Sequence, residues 1–139
     1  MVLLGYGAAG FAGNLFGGWV AGRNFVFALA GTAFLIALSV AGLLLAGGNT
    51  LAAVAWVVTW GFGFGMLPIA MQTFLFTSAP DRLESIAALF VSIAQLAIGL
   101  GALVGGLAVD NFGVPSALWL GAASALLTAG LIASASKTY

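Results

Sequence analysis

Charged side chains interrupt this 139-residue chain at only six places: Arg23, Asp81, Arg82, Glu84, Asp110 and Lys137. The stretches between them are apolar on every face. A bilayer core about 30 Å thick takes roughly 20 apolar residues as a helix. Residues 2–22 supply one such span. The run 24–80 is too long for one, and Gly47-Gly48-Asn49-Thr50 breaks it into spans of about 25–46 and 51–78. Residues 84–109 and 114–134 supply two more. Membrane barrels alternate polar and apolar residues along short strands, and these segments do not. The expected fold is all-α: a polytopic membrane bundle of five helices, with residues 1–139 forming a single compact transmembrane domain joined by short loops.

Composition narrows the chemistry. The chain is 63% hydrophobic and only 4% charged, against roughly 25% charged residues in soluble domains. Its net charge of zero offers no basic patch for nucleic acid and no polybasic run for lipid headgroups. Without cysteine or histidine there is no thiol nucleophile, no disulfide and no clustered metal-ligand set. No carboxylate stands deep in a span, where proton relays are found. The expected partner is the lipid bilayer; no enzyme activity, cofactor, metal or nucleic acid is expected. The first apolar stretch lacks a basic flank and is too long for a signal peptide.

The basic residues orient the chain. Arg23 follows the first span, Arg82 the third and Lys137 the fifth. Alternating helices put these three ends on one face. The positive-inside rule makes that face cytoplasmic, with the N-terminus outside and the C-terminus inside.

A short pattern occurs twice. Gly13-Asn14-Leu15-Phe16-Gly17-Gly18 is followed by Asn24-Phe25, and Gly101-Ala102-Leu103-Val104-Gly105-Gly106 by Asn111-Phe112. Both read G-x-L-x-G-G, the first near the cytoplasmic end of its helix and the second near the outer end. Similar sequence in opposite orientation marks an inverted repeat, a common plan of secondary transporters. Helix one then matches helix four, and helix two matches helix five. Helix three opens the second unit, and its counterpart is expected before Met1.

Further residues carry a family likeness. The stretch from Trp60-Gly61-Phe62-Gly63-Phe64-Gly65 through Pro68, Gln72, Ala79-Pro80-Asp81, Gly99, Gly101, Gly105-Gly106, Asp110 and Gly113 resembles the last three helices of major facilitator superfamily transporters. It is most similar to the drug:proton antiporter and arabinose-efflux-permease-like branch. Gly13, Asn14, Leu15, Gly17 and Gly18, with Ala21 and Arg23, resemble the eighth helix and the loop after it. The likeness covers nearly the whole chain, as helices eight to twelve of twelve. It implies the C-terminal portion of a secondary active transporter, exporting small molecules such as drugs or sugars by alternating access and inactive alone. The implied partners are a missing N-terminal transporter half and a small-molecule substrate, in a bacterial inner membrane. Two departures stand out. Gly22 occupies the usual acid of the loop motif formed by Gly18, Ala21 and Arg23, and Gln95 replaces an asparagine common in the eleventh helix. A five-helix half of a drug/metabolite-type transporter and a non-transporting membrane scaffold subunit are the alternatives.

Candidate site residues follow from polarity and position. The third helix carries Trp60, Phe64 and Gln72 around Pro68 and is expected to line the substrate cavity; in the resembled family the matching helix faces it. Trp56 and Trp60, one turn apart, should share a face. Asn14 and Gln95 are amides within the bilayer that each need a hydrogen-bond partner, and either glue helices together or line the cavity. Tyr6 is an outer-interface anchor or a ligand contact. Gly13/Gly17, Gly18/Gly22, Gly61/Gly65 and Gly101/Gly105 are spaced four apart, each pair making a groove for a neighbour. Gly105 in particular should lie against a helix with no room for a side chain. Asp81 and Glu84 are expected to cap helix four, and Asp110 to end it.

Overall fold

The computed structural model describes residues 1–46, 48–78 and 80–135. Its elements are α1 (Val2–Ala21), α2 (Phe25–Leu45), α3 (Thr50–Ser78), a short 3-10 turn at Pro80–Arg82, α4 (Leu83–Phe112) and α5 (Val114–Ala135), with no strand among the described residues. Helices α2 to α5 are long and apolar enough to cross a membrane. α1, with its frequent glycines and Tyr6, Asn14 and Trp19, is not among them.

Local chemistry sets the helix ends. Asn24 stands in an extended conformation before α2, and its side-chain oxygen accepts from Phe27 N–H at 2.9 Å. This satisfies one of the four free amides at a helix start. Asn49 serves α3 likewise, accepting from Ala52 N–H at 3.1 Å. The fourth helix departs from expectation at both ends. The 3-10 turn takes up Asp81, so Arg82 stands at the N-cap and no side chain bonds the first turn. Asp81 and Glu84 therefore form no capping pair. At the other end α4 runs past Asp110 to Phe112 and stops where Gly113 adopts φ 82°, a left-handed conformation open to glycine at no steric cost.

The helices are not equally engaged. α3 packs along α1 and against α2; α2 also packs against α5; α4 leans on α5 and touches α3 only lightly. Buried side chains are small, among them Ala28, Ala37, Ala70 and Ala122. Without a hydrophobic drive between helices in lipid, close backbone approach supplies the packing energy. Buried Thr32 and Ser39 donate to the carbonyls of Ala28 and Leu35 one turn earlier, at 2.8 and 2.6 Å, so neither hydroxyl is left unpaired in an apolar setting.

The glycine pairs divide sharply. Along the α1–α3 seam, a methyl group on Gly13 would overlap the Phe62 carbonyl oxygen, and one on Gly65 that of Gly10. On Gly17 it would lie 2.9 Å from Met66 Cα, and on Gly61 2.6 Å from the Tyr6 carbonyl oxygen. Gly18 and Gly22 meet neighbours only at 3.4 Å, Gly22 those of its own helix. Gly101 and Gly105 have nothing within 4 Å. The expectation that Gly105 abuts a helix is thus overturned for this chain: α4 diverges from α5, and Ala108, not Gly105, is its buried residue. The molecule is accordingly less compact than expected, with most of α4 exposed.

Trp56 and Trp60 also part company. The Trp56 ring lies over Gly42 of α2, whereas Trp60 meets Tyr6 of α1 edge to face, with centroids 6.1 Å apart. Successive positions four apart rotate by about 40° around a helix, and α3 is wedged between two neighbours closely enough for that rotation to change the partner.

Candidate functional site

On α3, Trp60, Phe64, Pro68 and Gln72 recur every four residues. They form a strip winding slowly around the helix and about 18 Å long at 1.5 Å per residue. Trp60 is half-buried against Tyr6, while Phe64, Pro68 and Gln72 are exposed. Pro68 has no N–H, so the Phe64 carbonyl one turn earlier lacks its helical donor. α3 nevertheless runs unbroken from Thr50 to Ser78.

Asn14 adjoins this strip. Its amide nitrogen is 3.4 Å from the Gly65 carbonyl oxygen, a long contact that leaves most of its hydrogen-bonding capacity unused. The approach exists because Gly65 and Gly10 bring the two backbones together. The structure thus brings Asn14, Trp60, Phe64 and Gln72 to one side of the α1–α3 pair. Gln95 stays apart on α4, exposed. The other flank of the seam carries aromatic rings: Phe62 against Phe16 at 5.8 Å, Phe16 against Trp19 at 5.9 Å, and the Arg23 guanidinium 3.8 Å from the Trp19 ring centroid. This cation–π contact and a 3.4 Å hydrogen bond from Arg23 to the Trp19 carbonyl hold Arg23 at the helix end. Of the loop-motif candidates, Ala21 is buried, Gly18 is half-buried with Ile69 on the side a methyl group would occupy, and Arg23 is exposed. Sequence reasoning passed over Gly10, and it gave Phe16 and Phe62 no role of their own although both stand inside quoted motifs.

A separate crevice of about 820 Å³ opens between α3 and α5, floored by α2 and lined by Leu29, Thr32, Ile36, Met71, Phe74 and Ala125 among others. None of the five cavity candidates lines it. Its hydroxyls at Thr32, Ser78 and Thr128 each donate to a carbonyl of their own helix. A polar ligand would find no free donor there. Lys137 lies outside the described residues, so the grouping of basic ends rests on Arg23 and Arg82, which alternating helices place at the same end. Among the described residues no group of acidic, histidine or cysteine side chains could hold a metal ion.

Nearly the whole chain aligns with known transporters. It is 39% identical over 134 residues to the purine ribonucleoside efflux pump NepI of Salmonella paratyphi C, a match covering 96% of this chain and 34% of the pump. The NepI of Salmonella typhimurium matches equally, and that of Salmonella enteritidis is 38% identical over the same length. The chain therefore spans about a third of the length of the curated relatives it matches. No family model matches it, and no solved structure does. The chain is therefore similar, over nearly all of its length, to about a third of an efflux pump of the major facilitator superfamily.

Proposed function

We propose that this chain is the C-terminal portion of an exporter of small neutral molecules, with α1 and α3 supplying one wall of its substrate cavity. α1 is then a fifth span, and the Arg23 and Arg82 ends face the cytoplasm of a bacterial cell. The observation that carries the reading is the alignment with nucleoside efflux pumps over 96% of the chain. The exposed amides support it. Asn14 and Gln72 are costly against lipid tails, so the side that carries them belongs against protein or a wet cavity.

The substrate class suggested by the relatives is the purine ribonucleoside, and the strip suits it. Such a molecule is uncharged, offers a flat aromatic base, and carries donors and acceptors on its edges and its ribose. Trp60 and Phe64 present rings for stacking, a contact worth about 1–3 kcal/mol per base. Asn14 and Gln72 each offer both a donor and an acceptor. No charge lies on the strip to demand a counter-charge. Transport itself requires two bundles rocking about the site, and the coupling groups absent from these spans would lie in the rest of the transporter.

The test is export of radiolabelled inosine or guanosine by the complete transporter. Trp60→Ala and Gln72→Ala should lower export or shift preference among nucleosides at unchanged membrane levels, and Trp119→Ala should not. Export sensitive to Trp119→Ala alone would remove α3 from the cavity.

A further inference from the structure

The backbone of α3 holds an acceptor that no side chain of the strip supplies. Pro68 removes the N–H that the Phe64 carbonyl would meet one turn on, and its ring crowds that oxygen outward from the helix. Phe64 and Pro68 are both exposed, so the oxygen between them lies on the open side of α3. No side chain among the described residues takes the place of the missing donor. Thr59 and Thr73, the hydroxyls of α3 on either side, donate to the carbonyls of Ala55 and Ile69 at 2.9 and 2.8 Å. Asn14 comes nearest, and its amide nitrogen reaches the next carbonyl, that of Gly65, at 3.4 Å.

Depth and direction make this oxygen more than a local defect. α3 spans Thr50–Ser78, and Phe64 is its middle residue. The carbonyl therefore stands near the bilayer midplane, where a backbone group facing lipid has no water to pair with. Such groups persist in membranes where protein or a water-filled cavity satisfies them, and secondary transporters hold their substrates at this depth. Neighbouring helices of this chain meet other sides of α3: Gly61, Gly65 and Met66 lie against α1, and Gly63 against α2.

We propose that the Phe64 carbonyl accepts the hydrogen-bond donor on the base edge of a purine ribonucleoside, with the Asn14 amide beside it as the complementary donor. The inference rests on the nucleoside reading above and adds how the base is read. A carbonyl has lone pairs and no proton, so it selects a base that offers N–H. Inosine and guanosine carry N1–H next to O6, and adenosine carries its amine next to N1; each edge sets a donor beside an acceptor. The donor bonds the Phe64 carbonyl. The acceptor takes a proton of the Asn14 amide, whose long contact with Gly65 is easily exchanged. Stacking on Trp60 and Phe64 is blind to the identity of the base, because every base has a π-face; the carbonyl reads the edge. Pro68 is then a positioning residue, keeping the acceptor open by withholding an N–H.

The experiment compares equilibrium binding of inosine and of purine riboside, whose base has neither N1–H nor O6, to the complete transporter in proteoliposomes by titration calorimetry. The parent should favour inosine. Pro68→Ala returns the N–H to α3 and caps the carbonyl from within the helix, so the preference should fall about three- to tenfold, the worth of one hydrogen bond. Any change in the shape of α3 acts on both nucleosides and cancels in the ratio. The Asn14 contact with O6 cancels likewise, since both proteins keep it. Replacing a helix proline restores a backbone bond, so Pro68→Ala should fold at least as well as the parent. Pro68→Gly also supplies the N–H and should show the same loss of preference. Equal binding of the two nucleosides by the parent, or a ratio unchanged in both variants, overturns the proposal and leaves the nucleoside reading standing. Failure of the parent to bind either nucleoside overturns both.

Discussion

Gly13→Ala and Gly101→Ala make the same change at matched positions of one motif, and the structure gives them different consequences. At Gly13 the new methyl would overlap the Phe62 carbonyl oxygen and lie 2.9 Å from its carbon and 3.1 Å from its Cα. All three are backbone atoms of α3, so no rotamer change relieves the clash and the helices must separate. A gap of about 0.5–1 Å forfeits a quarter to a half of each contact's attraction. The loss is shared by Gly17 on Met66, Gly61 on Tyr6 and Gly65 on Gly10. Overpacking of this kind costs about 1–3 kcal/mol, and a shared seam puts Gly13→Ala toward the upper end. At Gly101 the methyl meets nothing. Alanine's greater helix propensity acts on both variants and cancels in the comparison. Detergent-solubilised protein titrated with SDS and followed by tryptophan fluorescence should therefore show Gly13→Ala unfolding earlier by about 1–3 kcal/mol, with Gly101→Ala close to the parent. Equal destabilisation of the two, or none at Gly13, would refute the interlocked seam.

Other measurements probe other parts of the structure. Ala108 is 8% exposed while Gly105 faces open space, so Ala108→Leu should reduce the folded yield of this chain more than Gly105→Leu; the reverse would put a neighbour on Gly105. Trp56 covers Gly42, so Gly42→Ala and Trp56→Ala should be non-additive by on the order of 1 kcal/mol in a double-mutant cycle, and strict additivity would separate them. In a chain free of cysteine, Asn49→Cys should react with an impermeant thiol reagent from outside the cell and Ser78→Cys should not; opposite labelling would invert the proposed orientation.

The five helices were legible because their determinants are local. Charges and the Gly48-Asn49-Thr50 break delimit runs long enough to be helices, and Asn24 is a helix-starting residue by its own chemistry. The ends of α4 were harder to read. Asp81 satisfies the capping pattern, but Pro80 turns the chain into a 3-10 segment first and moves the helix start past it. Asp110 has no helix-breaking geometry of its own, whereas Gly113 can adopt the positive φ that stops α4. The faces of α3 were misread for a related reason. Spacing of four places Trp56 and Trp60 near each other on the helix, but only the positions of α1 and α2 decide that one ring lies over Gly42 and the other against Tyr6.

The glycine motif separates what a sequence records from what one chain can satisfy. G-x-L-x-G-G specifies a surface without side chains, and both copies have it. Whether that surface is a contact depends on a third element, and α3 serves only the first copy. The amides divide in the same way. Asn14 reaches a carbonyl because Gly10 and Gly65 let α1 and α3 approach closely, while Gln95 stands on a helix whose glycines have admitted nothing. Among the described residues Gln95 has no hydrogen-bond partner, and it lies four residues before Gly99 and seven before Ala102, small exposed residues on the same side of α4. A lone amide is expensive against lipid, so the side of α4 that bears Gln95 belongs to protein or to water, not to acyl chains. The apolar character of α4 argues for a membrane, and the position of its mid-helix amide, Gln95, argues that part of its surface is turned away from that membrane.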